Sequence, residues 1–305
     1  GTPDGRFYDS DRQQRVREDP ERGGCFMRIP IKYIASSGHE YNLISDGIKH
    51  KEANYWDWKY TAEGTKLQYG FRVADFSKDA KTYKTTLLFY GSELQRRQLL
   101  SALHDDFEND IRQRKPGKLM WGSYYLMCYV LESSTQPTEA LTQTINEISI
   151  YSPYPFWLQD FNIEFPKQAE VVSEYLDYEY GYNYDFKMPP TGQRSIARTF
   201  PFDSDFKMTI FGEAVNPRVA INGYTYLLYM TINDGEYVVI DSKAKTIILH
   251  DANGQQSSVF DARNKAATVF QKIPGGNLDV VWDSSFGVNL TIYQERSEPR
   301  IEVSA

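Results

Sequence analysis

From residue 194 to the C-terminus the chain is interrupted at short intervals by residues that turn the backbone: Asn216-Pro217, Asn222-Gly223, Asp234-Gly235, Asn253-Gly254, Pro274-Gly275 and the stretch from Ser285 to Gly287. Asn-Gly and Asp-Gly favour primed turns, whose twist matches that of antiparallel hairpins. Between these turns lie runs rich in β-branched and aromatic residues: "RSIARTF", "DFKMTIFG", "RVAINGYTYLLYMTI", "GEYVVID", "AKTIILHD", "ATVFQKI", "LDVVWD" and "GVNLTIYQER". Turn signals spaced ~8–12 residues apart mark an antiparallel β-sandwich or jelly roll. No helix is expected in this part, and no fixed-period repeat is visible.

The first half is also mostly β. Short runs "MRIPIKYIA" and "EYNLI" lead to "TKLQYGFRVADF", where Leu67, Tyr69, Phe71 and Val73 alternate with Lys66, Gln68, Gly70 and Arg72 as in a strand with one wet face. "TTLLFYG" reads as a more buried strand. The one helix expected covers residues 92–113: Ser92 and Gln95 form a capping box, and Leu99, Leu103, Phe107 and Ile111 recur every fourth residue as an apolar stripe. Arg112, Arg114 and Lys115 suit the negative end of the helix dipole, and Pro116-Gly117 ends it. A hairpin broken at Gly122-Ser123 and a strand in "TQTINEISIYSPYPFW" complete a sandwich-like or barrel-like body with one packed helix.

Four parts follow. Residues 1–27 form a charged arm, 28–162 an N-terminal β domain, 163–191 a tyrosine-rich joint and 192–305 the C-terminal sandwich. The joint carries Tyr175, Tyr178, Tyr180, Tyr182 and Tyr184 among acids and is flanked by Pro166, Pro189 and Pro190. It reads as a linker or an edge strand laid on a neighbouring surface, with a sugar platform as the sharper alternative. At 305 residues, 41% of them hydrophobic and 15% aromatic, the chain has enough apolar material for about two cores.

Charge and motifs exclude several function classes. A net charge of −7 argues against a surface that grips phosphates, and the arginines of the arm are interleaved with Asp9, Asp11, Glu18, Asp19 and Glu21. No run reaches the ~18 apolar residues a membrane helix requires, so a soluble chain that is neither exported nor inserted in a membrane is expected. Cys25 and Cys128 lack C-x-x-C spacing and read as buried free thiols. His39, His50, His104 and His250 are scattered, and the common nucleophile, zinc, phosphate and dinucleotide motifs are missing. Neither catalytic residues, a metal nor a cofactor is therefore expected.

Three local patterns have a bland reading beside a functional one. Asp203 and Asp205 in "PFDSDFK" suit a turn at a strand entry better than the acid pair of a glycosidase. "HDDFEND" at 104–110 is acidic but lacks the glycine of a calcium loop, and is expected as a solvated helix face. Trp56 and Trp58 are expected on one side of a strand, where they pack in the core or, with Trp121, at an interface between copies.

The order of these elements resembles the siphophage distal tail protein (Dit) family. The resemblance covers nearly the whole chain after the arm. It rests on the strands before "SELQRRQLLSALHDDFENDI", the hairpin after it, the ending "ISIYSPYPFW", the joint "YLDYEYGYNYDF", and the runs "FKMTIFGEAVNPRVAINGYTY", "GEYVVIDSKAKTIILHDANG" and "FQKIPGGNLDVVWD". The charged arm departs from the family pattern. The resemblance implies a structural virion protein of the tail tip, made in the bacterial host cytoplasm, with a galectin-like C-terminal domain. It also implies a homo-oligomeric ring, usually a hexamer, between the tail tube protein and the tail-tip hub, baseplate and receptor-binding proteins, with genomic DNA passing through unbound. An acidic chain suits such a channel. The alternative is a carbohydrate-binding or host-receptor-binding module, with a glycan held on Tyr224, Tyr226 or Trp282 of the C-terminal sandwich.

Overall fold

The computed structural model describes residues 29–137, 143–167 and 192–300. Cys25, the arm at 1–27 and the joint tyrosines Tyr175, Tyr178, Tyr180, Tyr182 and Tyr184 lie outside the described residues. Among the described residues the fold is mainly β with one α-helix, as the residue pattern predicts.

The first half begins with β1 (Ile31–Ile34) and β2 (Glu40–Asn42), an antiparallel hairpin, followed by β3 (Ile48–Ala53). Among the described residues, β4 (Thr61–Lys66) and β5 (Phe71–Ser77) pair only with each other. Then come β6 (Lys81–Tyr90), α1 (Glu93–Gln113), β7 (Gly117–Trp121), β8 (Tyr124–Pro137), β9 (Gln143–Ser152) and β10 (Trp157–Phe165). The 14 residues of β8 serve two neighbourhoods. Its first part pairs with β7, which leads on to β1 and β2, and its second part pairs with β9, which leads on to β6 and β3. Side chains from both branches and from α1 meet in one cluster that includes Tyr33, Phe89, Leu103, Phe107, Leu126 and Trp157.

The second half contains β11 (Gly192–Phe200), β12 (Asp205–Phe211), β13 (Ala214–Val215), β14 (Arg218–Ile221), β15 (Tyr224–Leu227) and β16 (Thr231–Ile232). β17 (Tyr237–Asp241), β18 (Thr246–His250), β19 (Gln256–Ser258), a 3-10 turn at Phe260–Ala262, β20 (Gly276–Trp282) and β21 (Val288–Arg296) follow. One sheet runs β11, β20, β14, β15 and the other β19, β18, β17, β12, β21. Alternate residues of both sheets, among them Phe206, Ile240, Leu290, Ile221, Val280 and Trp282, form a second cluster. Asn222-Gly223 turns β14 into β15, with Asn222 at φ 48° and Gly223 at φ 82°, the left-handed pair a primed turn requires.

β10 belongs to both halves. It pairs with β21 from Trp157↔Arg296 to Phe165↔Val288, so the 13-stranded sheet passes from one cluster to the other without a break. Residues 163–165, expected within the joint, are strand.

Several expectations are corrected. The run "TKLQYGFRVADF" is not one strand: residues 67–70 turn, with Gly70 at φ 89°, and the alternating apolar residues fall on the tip and the second arm of a hairpin. Trp56 and Trp58 lie in a turn and irregular chain after β3, not on a strand. "ATVFQKI" forms no strand, yet Val269, Phe270 and Ile273 are buried, so its apolar spacing reflects plugs into the core.

The helix itself forms as expected: Ser92 Oγ accepts the Gln95 N–H, and the Ser92 N–H donates to Gln95 Oε1. Its last stripe residue, Ile111, is 41% exposed. A strict four-residue spacing drifts by about 40° per step around a helix of 3.6 residues per turn. Burial passes instead through Leu103, Asp106, Phe107 and Asp110.

Candidate functional site

The acidic run on α1 is only partly the solvated face expected: Asp105 and Glu108 are exposed, while Asp106 and Asp110 are buried. Asp110 is fully buried, and its carboxylate accepts the Tyr33 hydroxyl at 2.5 Å and the Ser36 N–H at 2.8 Å. One turn earlier Asp106 accepts the Tyr41 hydroxyl at 2.5 Å and the Ser37 hydroxyl at 3.0 Å, with His39 Nδ1 3.0 Å away. Burial opposes the charge on Asp106, but the bonds from Tyr41, His39 and Ser37 outweigh it and hold its pKa below the usual carboxylate value. These contacts fasten the β1–β2 hairpin to the helix. They form a structural clamp, not a reactive centre.

Of the carboxylates Asp203 and Asp205, the second is likewise held in buried structural contacts. Asp205 is buried, accepts the Ser242 hydroxyl at 2.8 Å and pairs with Lys272 Nζ at 3.0 Å. Asp203 accepts the Gly275 N–H at 3.1 Å. Cys128 is a free thiol, fully buried, and burial pushes its pKa up to about 12, which removes it from nucleophilic chemistry. Among the described residues no three His, Cys, Asp or Glu side chains gather as metal ligands, and no helix is long and apolar enough to cross a membrane.

The tryptophans divide between two places. Trp56 and Trp121 meet edge to face with ring centroids 5.0 Å apart, and Tyr55 packs against both. Trp58 turns away to Tyr60, at 5.7 Å, and lies at a cavity of about 320 Å³ together with Phe156 and Phe202. The Tyr60 hydroxyl is 3.2 Å from Ser297 Oγ, which ties the chain after β3 to the end of β21. The cavity thus lies where the two halves meet, and residue spacing gave no hint of it.

In the C-terminal sandwich, Tyr226 is 1% and Trp282 4% exposed. The Tyr226 hydroxyl donates to the Gln271 carbonyl, and Trp282 Nε1 to the Phe286 carbonyl. Neither offers a ring face to a glycan. Tyr224 is half-buried and donates its hydroxyl to the Thr268 carbonyl.

Among the described residues the most exposed aromatic ring, Tyr69, lies on the β4–β5 hairpin, which its alternation predicted as a single half-buried strand. Tyr69 at its tip is 87% exposed, Phe76 is 61% exposed, and Leu67, Phe71 and Val73 are exposed with them. Every residue of β4 is exposed. A two-stranded ribbon of this kind has no core of its own.

No family model and no curated protein matches the sequence. Solved structures do. The Dit (gp 19.1) protein of phage SPP1, described as a paradigm of the hub adsorption apparatus in phages that infect Gram-positive bacteria, aligns with a TM-score of 0.56 and 8% identity, over 87% of this chain and 99% of its own. Chains from the phage P2 baseplate in its activated conformation, with Ca and with Sr, align with TM-scores of 0.57 and 0.58 and identities of 9% and 12%. Each covers 88% of this chain and 99% of the other.

The chain has the Dit fold. At such identities the likeness is one of architecture, and at 87% of this chain it extends into both halves. Among the described residues, the β4–β5 hairpin, Trp56 and Trp58 all expose large apolar side chains.

Proposed function

We propose that this chain is a structural component of a phage tail tip, a distal tail adaptor whose copies close into a ring. The ring, six copies in this reading, joins the tail tube to the tip or baseplate and its receptor-binding components. It works by shape and interfaces, without chemistry, and its acidic lumen lets DNA pass without holding it.

The observation that carries self-assembly is the β4–β5 hairpin. It has no sheet partner among the described residues, and Leu67, Tyr69, Phe71, Val73 and Phe76 are all exposed on it. Unpaired strand edges and large apolar side chains together demand a cover. A hairpin laid on a different surface of the next copy is a heterologous contact, the kind that closes into a ring when the rotation fits. The Trp56–Trp121 pair, of which Trp56 lies just before β4 in sequence, is proposed as part of the same interface.

Light scattering of the purified chain, with negative-stain images, tests this reading. Particles of about six copies are expected, and Tyr69→Ser with Phe76→Ser should reduce them to single chains that keep their circular dichroism spectrum. Because closure can require a tail partner, the same two proteins are also mixed with the tail tube protein. Failure of the unmodified chain to form rings in either setting would overturn the proposal.

A further inference from the structure

The cavity of about 320 Å³ between the two halves has the make-up of a ligand site. Its apolar surface is aromatic: Trp58 is 53% exposed, Tyr60 40% and Phe202 61%, with Phe156 behind them. Such rings bury a flat apolar face well and lose little conformational freedom in doing so. They are also held in place. Lys78 Nζ, a buried ammonium with no hydrogen-bond partner among the described residues, sits 4.2 Å from the Phe156 ring centre and 5.5 Å from that of Tyr60. A desolvated cation on a ring face fixes the ring and lowers the cost of ordering it around a ligand.

The polar part of the wall decides the class of ligand. Asp203, Glu295 and Glu298 stand against Arg296 and Arg300, so the signs nearly cancel and no field favours a phosphate or a polyanion. Carboxylates and guanidinium groups side by side supply acceptors and forked donors to the same small volume. Two of these groups are already positioned by the protein: Glu295 accepts the Tyr154 hydroxyl, and the Arg296 guanidinium lies 5.6 Å from the Phe202 ring centre. An apolar peptide would leave these charges desolvated and unpaired. A neutral polyol with one apolar face satisfies both halves of the wall.

We propose that this cavity is a saccharide-binding site, in which Trp58 and Phe202 stack against the apolar face of a neutral sugar and Asp203, Glu295 and Arg296 take its hydroxyl groups. The site is separate from Tyr226 and Trp282, whose rings are in the core, and it is independent of whether copies of the chain assemble.

The test is titration of the full chain with glucose, galactose, N-acetylglucosamine and their β-linked di- and trisaccharides, followed by saturation-transfer NMR and tryptophan fluorescence. At least one should bind, with Trp58→Ala and Phe202→Ala each weakening it tenfold or more and Tyr224→Phe leaving it unchanged. Absence of binding across the whole set, or binding that both alanine variants retain while still folded, would overturn the assignment. Phe202→Ala should leave particle mass unchanged and the hairpin variants should leave sugar binding unchanged, so the two proposals fail separately.

Discussion

Trp157 and Phe165 stand at opposite ends of β10, each no more than 1% exposed, and each is built into a different core. The strand between them is hydrogen-bonded to β21 along its whole length. Melting either core therefore frays the edge of the other. Calorimetry should show one transition, and Phe165→Ala or Trp157→Ala should each lower it by the ~3–5 kcal/mol typical of removing a buried aromatic ring. Two transitions, with each substitution moving only one, would refute this coupling.

The carboxylate of Asp110 satisfies two buried donors, the Tyr33 hydroxyl and the Ser36 N–H. Asp110→Ala leaves both without an acceptor and should cost on the order of 2–4 kcal/mol, more than a neutral hydrogen bond is worth, because stranded donors keep their desolvation penalty. Gly117 faces the same contact: a Cβ there would lie 2.3 Å from the Tyr33 hydroxyl oxygen. Gly117→Ala should thus damage the same clamp, and urea titration of both variants would show comparable losses.

Stability should rise with pH between acid and neutrality. Burial brings the pKa of His50 down to about 4 from 6.5, so the unfolded chain takes up a proton in that window while the folded chain does not. The stabilisation is complete above about 6.5 and is lost as pH falls towards 4. Asp106 and Asp205 are both lowered: burial works against each, but hydrogen bonds to Asp106 and the Lys272 and Ser242 contacts to Asp205 prevail. Their share is present above the ordinary carboxylate pKa and disappears as pH falls below it. Urea midpoints measured from pH 3 to 8 should climb in two overlapping steps, and His50→Gln should shrink the upper one, to which His104, also lowered by burial, contributes the rest. A profile flat above pH 4 would contradict the assignment to His50.

The hairpin makes the opposite stability prediction. Among the described residues β4 and β5 pair only with each other, and Tyr69 between them is exposed, so Tyr69→Ser should change the unfolding free energy of the isolated chain by less than ~0.5 kcal/mol. A loss of several kcal/mol would place Tyr69 in a core.

Ser92→Ala should cost ~1 kcal/mol, since both halves of the capping box are formed. Unfolding by urea reads it directly; an unchanged midpoint would mean that the first turn contributes nothing to stability.

Local patterning foretold much of the fold. Primed turns such as Asn222-Gly223, the Gly122-Ser123 reversal and the Ser92 cap depend on residues adjacent in sequence, and these could be read directly. The longer-range relationships could not. Alternation in "TKLQYGFRVADF" is the same for one strand and for a hairpin whose turn falls at an even spacing, and only Gly70 distinguished them. Asp106 and Asp110 resembled solvent-facing acids because their partners, Tyr33 to Tyr41, lie some seventy residues earlier. The cavity draws on residues near 58, 156, 202 and 296, a grouping created by the β10–β21 ladder and by nothing local.

That ladder also has a mechanical meaning. Nine consecutive residue pairs from Trp157↔Arg296 to Phe165↔Val288 lie side by side along one direction. A tug along that direction loads the rungs together instead of peeling them one by one, so the two bodies are splinted, and strain applied to one is delivered to the other.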